Sequence, residues 1–506
     1  MQEQILKFFP RNKVPRKSQA LVLKEVAEAF ESGYQNVVIE APVGSGKSAI
    51  AVAVSNFLGT SHVLTPRKSL QSQYEGDFPG ELVGMRGRSY YPCVVSPRKG
   101  ATTADCYLRT RDPQAYKNCR DEDCPYTGAL EWANSKNCVV HNYHSFIYQA
   151  ALFGRFQERD IIIFDEAHEI PSIIRAFGES RLKLNKVWLP RSFVFPEEWD
   201  IDDLLDLLTQ IIVENGSELG EKEIENLENL YMRMEVNKEF LTEDNYVFDL
   251  KEDKFSNTIE IAFTPIRVGP LCNKYLYAFG KKRLFMSGTI YSPTTYCSFV
   301  GLDPAKTKFI QIPSTVPAEN RPIYLKPEYQ VDTSFAKWDE NFVEIVEKIK
   351  KVFEVFKDAK GLIHAPSYKN GLELFAALKD TGRVMIHTPA NLEEKLEEFY
   401  SSKGNMVFIS PSCQQGVDMK YDRARFQILV RVPYPNTSDA FVNKMREDNF
   451  GWYNYQALVI FGQQLGRVVR ADDDFGATIL LDSRFSKFLT SNRTQLPGWL
   501  MSSIKR

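Results

Sequence analysis

The stretch VVIEAPVGSGKS, residues 37–48, decides the fold. Val37 to Glu40 form a short strand pattern that runs into a glycine-rich turn and then into a helical pattern from about Lys47 to Leu58. A short buried strand, a tight turn and a helix is the unit from which parallel α/β sheets are built. The turn also carries chemistry. Ala41-Pro42-Val43-Gly44-Ser45-Gly46-Lys47-Ser48 is a phosphate-binding loop with Ala where the first Gly is usual. Glycines let backbone N–H groups approach phosphate oxygens, Lys47 reaches the β- and γ-phosphates, and the Ser48 hydroxyl suits Mg2+. A chance glycine-rich turn fits these residues but not their place between a strand and a helix.

Outward from this loop the same rhythm recurs. A helix is expected upstream from about Ser18 to Phe30, with Val22, Val26, Ala29 and Phe30 on one face. Downstream lie the buried strand His62–Thr65 and the apolar run Ile161–Phe164, which ends in Asp165-Glu166-Ala167-His168. An acidic pair after an apolar strand is often only a solvated strand end. With a phosphate loop upstream, Asp165 reads as a Mg2+ ligand, Glu166 as the base that orients and deprotonates an attacking water, and His168 as a relay. Further strands are expected at Leu362–Ala365, Met406–Ser410, Gln427–Val430 and Thr478–Leu481. Near the end, Gln463-Gln464-Leu465-Gly466-Arg467-Val468-Val469-Arg470 is expected to open or lie on a helix. Arg467 and Arg470 are then on one face, suited to a γ-phosphate across a domain cleft.

Two segments break the rhythm. Residues from about Gly84 to Tyr126 are rich in cysteine, arginine and tyrosine, and those from about Ala176 to Thr258 have a helical pattern, with strong acidity from Glu197 to Glu228. The simplest account is an α/β protein with two parallel-sheet domains and two insertions in the first. With 506 residues, more than one core is expected. The formal net charge of −2 excludes a globally basic nucleic-acid binder, so any polyanion must meet a local basic patch. No apolar run reaches the roughly 18 residues of a membrane span, and the N-terminal segment lacks the apolar core of a signal peptide. A soluble cytoplasmic protein (nuclear if eukaryotic), with no membrane partner, is expected. Five of the eight cysteines fall between Cys93 and Cys138, a clustering that in a reducing compartment points to metal before disulfides.

The motifs, in this order, resemble those of a superfamily 2 helicase. Arg16-Lys17-Ser18-Gln19 is similar to the adenine-reading glutamine motif, and Thr65-Pro66-Arg67-Lys68-Ser69-Leu70-Gln71 to the motif that contacts the nucleic-acid backbone. Met286-Ser287-Gly288-Thr289-Ile290 resembles the coupling motif, with Gly288 where Ala is usual. Gly361 to Tyr368, and Ser410 through Gly416-Val417-Asp418, are similar to the fourth and fifth motifs. Within the superfamily the chain is identified as a member of the XPD/DinG branch, whose hallmark is a four-cysteine insertion between the phosphate loop and the DEAH box. Gly87-Arg88-Ser89-Tyr90-Tyr91-Pro92-Cys93 and Cys124-Pro125-Tyr126 resemble the two ends of that insertion.

The resemblance implies two RecA-like motor domains, with a cysteine-rich iron–sulfur insertion and a short helical arch-like insertion in the first. The expected boundaries are 1–85, 127–175 and 261–305 for motor domain 1, 86–126 for the iron–sulfur insertion, 176–260 for the arch-like insertion and 306–506 for motor domain 2. It implies Cys93, Cys106, Cys119 and Cys124 as 4Fe-4S ligands. Their gaps of twelve, twelve and four residues are wider than zinc knuckles and tolerable for iron–sulfur, with zinc and plain buried thiols as the alternatives. ATP is expected to meet Gln19, the 41–48 loop, Gly416, Asp418 and Gln463. Arg67, Lys68, Arg86, Arg88, Arg109 and Arg111, with Tyr90 and Tyr91, form a basic and aromatic set suited to phosphates and unpaired bases. The implied activity is that of a monomeric ATP-dependent DNA helicase moving 5′→3′ on single-stranded and forked DNA; the polarity comes from the resemblance alone. The alternatives are a translocating or remodelling ATPase that does not unwind, and a non-catalytic iron–sulfur DNA-binding scaffold. One departure stands out: the acidic insertion is short for an arch and poor in Lys and Arg. No added nuclease domain is expected.

Overall fold

The structure, a computed structural model, describes residues 3–42, 44–94, 124–191, 193–216, 218–413, 417 and 419–506. The first lobe is built on strands β1 (Asn36–Glu40), β2 (Ser61–Thr65), β3 (Val83–Met85), β4 (Cys138–Asn142) and β5 (Arg159–Asp165). An insertion holds β6 (Ser180–Asn185), β7 (Tyr246–Asp253) and β8 (Thr258–Pro265), after which β9 (Gly280–Ser287) and β10 (Thr307–Gln311) return to the first sheet. That sheet runs β10-β1-β9-β5-β2-β4-β3, and every pairing in it is parallel. The second lobe holds β11 (Ile323–Tyr324), β12 (Gly361–His364), β13 (Val384–Ile386), β14 (Val407–Ser410), β15 (Phe426–Leu429), β16 (Ala477–Leu480) and β17 (Ile504–Lys505). Its order is β13-β14-β12-β15-β16-β11-β17, again parallel.

Helices cover both faces of the first sheet, so its strands read as continuous apolar runs. Alternate residues divide between two cores. Val38, Ile162, Phe164 and Phe285 pack on one face, and Val37, Ile39, Ile163 and Leu284 on the other. Parallel pairing brings the strand ends level: Glu40 lies beside Ser287, and Asp165 beside Met286. The loop after every parallel strand thus opens on the same edge, where ligands of such sheets bind.

The structure corrects two expectations. The second insertion does contain the helices Ile201–Asn215 and Glu221–Asn237, but it is not purely helical. Strands β6, β8 and β7 form an antiparallel sheet against them, with Leu204, Leu208 and Met234 packed on Ile259, Ile261 and Phe263. The second half of β7 is exposed and charged, so its residues lack the alternation that marks a strand. The boundary expected at 305/306 also shifts, because β10 pairs with β1 and belongs to the first lobe.

The lobes meet through the long helix Phe450–Leu465, whose Tyr455 hydroxyl donates to the carbonyl of Ile290 at 2.9 Å. The contact continues beside it, where the Phe299 and Tyr455 rings lie 5.5 Å apart. Phe441, Met445 and Trp452 of the second lobe pack with Val247, Ile266 and Phe299, and the Arg175 guanidinium lies 4.1 Å from the centre of the Phe441 ring. Among the described residues, no helix is long and apolar enough to cross a membrane.

In β12, Gly361 lies beside Phe426, whose ring occupies the space a side chain would need. Gly361→Ala is expected to destabilise the second lobe by about 1–3 kcal/mol through overpacking. Urea unfolding checks this: the midpoint should fall while the slope stays constant.

Candidate nucleotide and nucleic-acid site

The phosphate loop follows β1 directly. Gly44 (φ +83°) and Gly46 (φ +79°) take left-handed backbone that L side chains adopt poorly. A Cβ on Gly44 would stand 2.5 Å from the carbonyl oxygen of Arg470, in the other lobe. The two glycines therefore permit the turn and the close approach of the second lobe. Ser45 Oγ donates to the carbonyl of Pro42 at 2.7 Å, and Lys47 Nζ to that of Ala41 at 3.1 Å. Val43 lies outside the described residues.

Gln19 is buried at the start of the helix Lys17–Glu31. Its amide nitrogen donates to the carbonyl of Gly46 at 3.2 Å, and its amide oxygen accepts from the Arg16 N–H at 2.9 Å. One end of the side chain thus fastens the phosphate loop and the other the start of its own helix. Arg16 adds a bond to the Gly44 carbonyl at 2.8 Å and an ion pair with Asp472 of the second lobe at 3.6 Å.

At the end of β5, Asp165 is buried and accepts from the Tyr74 hydroxyl at 3.1 Å and from the Glu166 N–H at 3.0 Å. Burial and the neighbouring Glu166 push its carboxyl up to about 6, against the pull of Lys47. Tyr74 also meets Ser48, so it links the two side chains expected around Mg2+. A buried carboxylate beside a hydroxyl, short of positive charge, is a donor set that fits a hard divalent cation. Glu166 has φ +48°, a conformation costly for a residue with a side chain, and it points into a cavity between the lobes. Burial works against its charge, but Lys47, His168, Arg467 and Arg470 outweigh burial and hold the carboxyl below its ordinary value. His168 Nδ1 meets both Ser287 Oγ, at 2.9 Å, and Glu166 Oε2, at 3.4 Å, and burial lowers its imidazole to about 4.

The second lobe closes this cavity with Gln463, Arg467 and Arg470. The helix ends at Leu465, so the two arginines do not lie on it, contrary to the expectation from the sequence; they lie in the segment that follows. The carbonyl of Val417 gathers them instead, accepting from Arg467 Nη1 at 3.0 Å and from Arg470 Nη1 at 3.4 Å. Gly416 and Asp418, on either side of Val417, lie outside the described residues. Burial and Arg470 lower the Arg467 guanidinium to about 10, as befits a cation held ready for an anion. Gln463 was expected to meet nucleotide. Its amide nitrogen instead donates to Thr289 Oγ1 of the first lobe at 2.8 Å, and its amide oxygen accepts from Arg467 at 3.0 Å. Ser287 Oγ in turn accepts from the Thr289 N–H at 3.1 Å. His168, Ser287, Thr289, Gln463 and Arg467 thus form one polar chain across the seam. Nothing local in the sequence marks Tyr74 or the Gln463–Thr289 bond, because both join residues far apart in the chain.

The basic and aromatic set divides. Lys68 is exposed and Arg67 partly so, at the end of β2 on the same edge as the nucleotide loop. Arg86 is paired with Glu75 and bonded to Ser72. Tyr90 is 71% exposed, as a base-stacking ring requires. Tyr91 instead packs on Tyr126, ring centres 5.7 Å apart, and Arg88 lies over that same ring. Arg109, Arg111, Cys106 and Cys119 lie outside the described residues. Cys93 is buried and Cys124 caps the helix Pro125–Asn134, packed against the first-lobe core. Among the described residues, no group of three or more His, Cys, Asp or Glu could hold a metal.

The polar chain across the seam sets a test of coupling. Gln463→Ala is expected to lower kcat for ATP hydrolysis about tenfold or more while leaving ADP affinity near wild type, because the lost contacts orient the arginines and not the loop. Steady-state hydrolysis together with ADP titration separates the two.

Comparison with known proteins gives two family matches: a helicase C-terminal domain over residues 349–503, and the res subunit of type III restriction enzymes over residues 12–184. The ATP-dependent DNA helicase YoaA of Haemophilus influenzae is 21% identical, with 93% of this chain and 91% of the relative covered. Among solved structures, an XPD helicase matches with a TM-score of 0.65 at 14% identity, covering 96% of this chain and 98% of the other. Xpd4 of S. tokodaii matches with a TM-score of 0.58 at 15% identity, covering 97% and 99%. These structural likenesses concern the fold.

Proposed function

This chain belongs to the XPD/DinG type of superfamily 2 helicases, and on that premise we propose that it is an ATP-dependent DNA helicase moving 5′→3′ on single-stranded DNA and unwinding forked duplex. The observation that carries the reading is the meeting of Lys47 and Glu166 with Arg467 and Arg470 around one cavity between two parallel-sheet lobes. A nucleotide gripped by both lobes can change the angle between them when it is cleaved, and that is what a motor needs.

In this reading Lys47 and the loop amides hold the phosphates, and Ser48 and Asp165 would hold Mg2+, which supplies charge neutralisation. Glu166, kept ionised by the surrounding cations, orients the attacking water and accepts its proton. Arg467 and Arg470 stabilise charge on the γ-phosphate, a contribution of about a thousandfold or more in rate. Loss of that phosphate removes the anion that draws the arginines inward, so the lobes part. Arg67 and Lys68 hold the strand backbone on the first lobe, and Tyr90 stacks a base. The chain acts as a monomer.

Cys93, Cys106, Cys119 and Cys124 are proposed to hold a 4Fe-4S cluster, which would give the small insertion the cross-link it needs in place of a core. Cys93 and Cys124 stand at the two stems of that insertion, which the Tyr91–Tyr126 contact draws together.

Lys47→Ala and Glu166→Gln are expected to fold normally and to lose DNA-stimulated ATP hydrolysis, the latter by a factor of about 10²–10⁴. Wild-type turnover in either variant would remove the site assignment. Cys93→Ser should lose the brown chromophore and strand displacement while keeping part of its ATPase, and wild type prepared without air should contain iron and sulfide. Strand displacement on matched DNA and RNA forks separates unwinding from translocation without unwinding.

A further inference from the structure

Immediately after the DEAH sequence, Glu169 ends the short 3-10 turn Ala167–Glu169, and nothing in the hydrolytic reading uses it. Its Oε1 lies 3.9 Å from Nη2 of Arg67, on the neighbouring strand-end loop, and 4.0 Å from Nε2 of His168. One carboxylate oxygen thus faces both a strand-gripping arginine and the imidazole beside the catalytic base. The Glu169 side chain is 15% exposed and that of Arg67 32%, so the pair sits where the nucleotide site reaches the surface. His168 Nε2 is buried and has no hydrogen-bond partner among the described residues, while Nδ1 meets Ser287. The imidazole therefore has an unused polar atom, and the nearest carboxylate is engaged elsewhere.

We infer that Glu169 is a positioning residue that reports strand occupancy to the hydrolytic site: it pairs with Arg67 in the absence of nucleic acid and turns to His168 Nε2 when a backbone phosphate takes Arg67 away. The inference deepens the helicase reading and rests on it. A phosphate offers Arg67 a bidentate partner, stronger than a single ion pair at 3.9 Å. Burial pushes the Glu169 carboxyl up to about 7 even against the opposing pull of Arg67, so once Arg67 leaves, this buried polar group needs another hydrogen-bond partner. His168 Nε2 is the nearest one. A bond there fixes the imidazole whose other nitrogen meets Ser287, and through Thr289 and Gln463 the constraint reaches Arg467. Phosphate binding at Arg67 and arginine placement at the seam would then be linked, and the linkage must be reciprocal.

The test is ATP hydrolysis by the full chain with and without oligothymidylate, in single and double variants. Arg67→Ala mimics departure of the arginine and is expected to raise hydrolysis without DNA by about fivefold or more, the lower end of ordinary coupling. Glu169→Gln is expected to cut stimulation by DNA to a similar degree, and, combined with Arg67→Ala, to return DNA-free hydrolysis to the wild-type basal rate. A purely structural role for either residue predicts no gain. Arg67→Ala hydrolysing no faster than wild type without DNA would overturn the inference, and this arm stands even if Glu169→Gln fails to fold. A double variant that keeps the raised rate would overturn it as well. Wild type without any stimulation by DNA would instead remove the motor reading, and the inference with it.

Discussion

Two acidic side chains stand side by side at the end of β5, one buried and one facing a largely enclosed cavity, and such a pair cannot stay ionised on its own. Low polarisability penalises each charge and their proximity penalises both. Relief comes from Lys47 on one side and from Arg467 and Arg470 on the other, and the second source belongs to a different lobe. The arginines have the mirror-image difficulty: they crowd one another, and burial strips Arg467 of water. Each lobe carries a local excess that the other offsets. The closed arrangement is thus an electrostatic compromise, and a bound polyphosphate with its divalent cation would shift that compromise in either direction.

The scaffold that makes this possible was largely legible in the residues. A parallel sheet covered on both faces writes its strands as short apolar runs, and Val37–Glu40, His62–Thr65 and Ile161–Phe164 all lie in strands. Each run hands over to a polar group as it leaves the sheet, so chemistry and fold share one local signal. Where that signal weakens, the reading failed. Strand β7 is exposed and charged over its second half, and β10 is an edge strand, so neither has the apolar run that marks the centre of a sheet. The turn that carries Arg467 and Arg470 follows a helix whose end no proline or charged cap announces.

What local pattern could not reveal at all are the pairings between distant residues. Tyr74 lies 91 positions from Asp165, and Gln463 lies 174 from Thr289, yet both bonds shape the site. Gln19 and Gln463 illustrate the same point in another way. Gln19 bonds to the phosphate loop, and Gln463 lines the cavity between the lobes. Neither offers a free amide, since one braces the loop and the other ties the lobes together. A residue type and its neighbours in sequence locate a side chain; its partners decide which job it performs.

The contact between Arg175 and Phe441, joined through Trp452 and Phe299 to Tyr455 and Ile290, bears on how the molecule can swing. Two rigid bodies touching at one place may pivot about any axis through it. Held along a continuous row of contacts, they retain a single easy rotation, about the line of that row, and every other rotation must break part of it. The small three-stranded sheet is therefore more than an appendage of the first lobe. It narrows a three-dimensional joint to something close to a door hinge, and so confers direction on movement that a simple cleft would leave undirected.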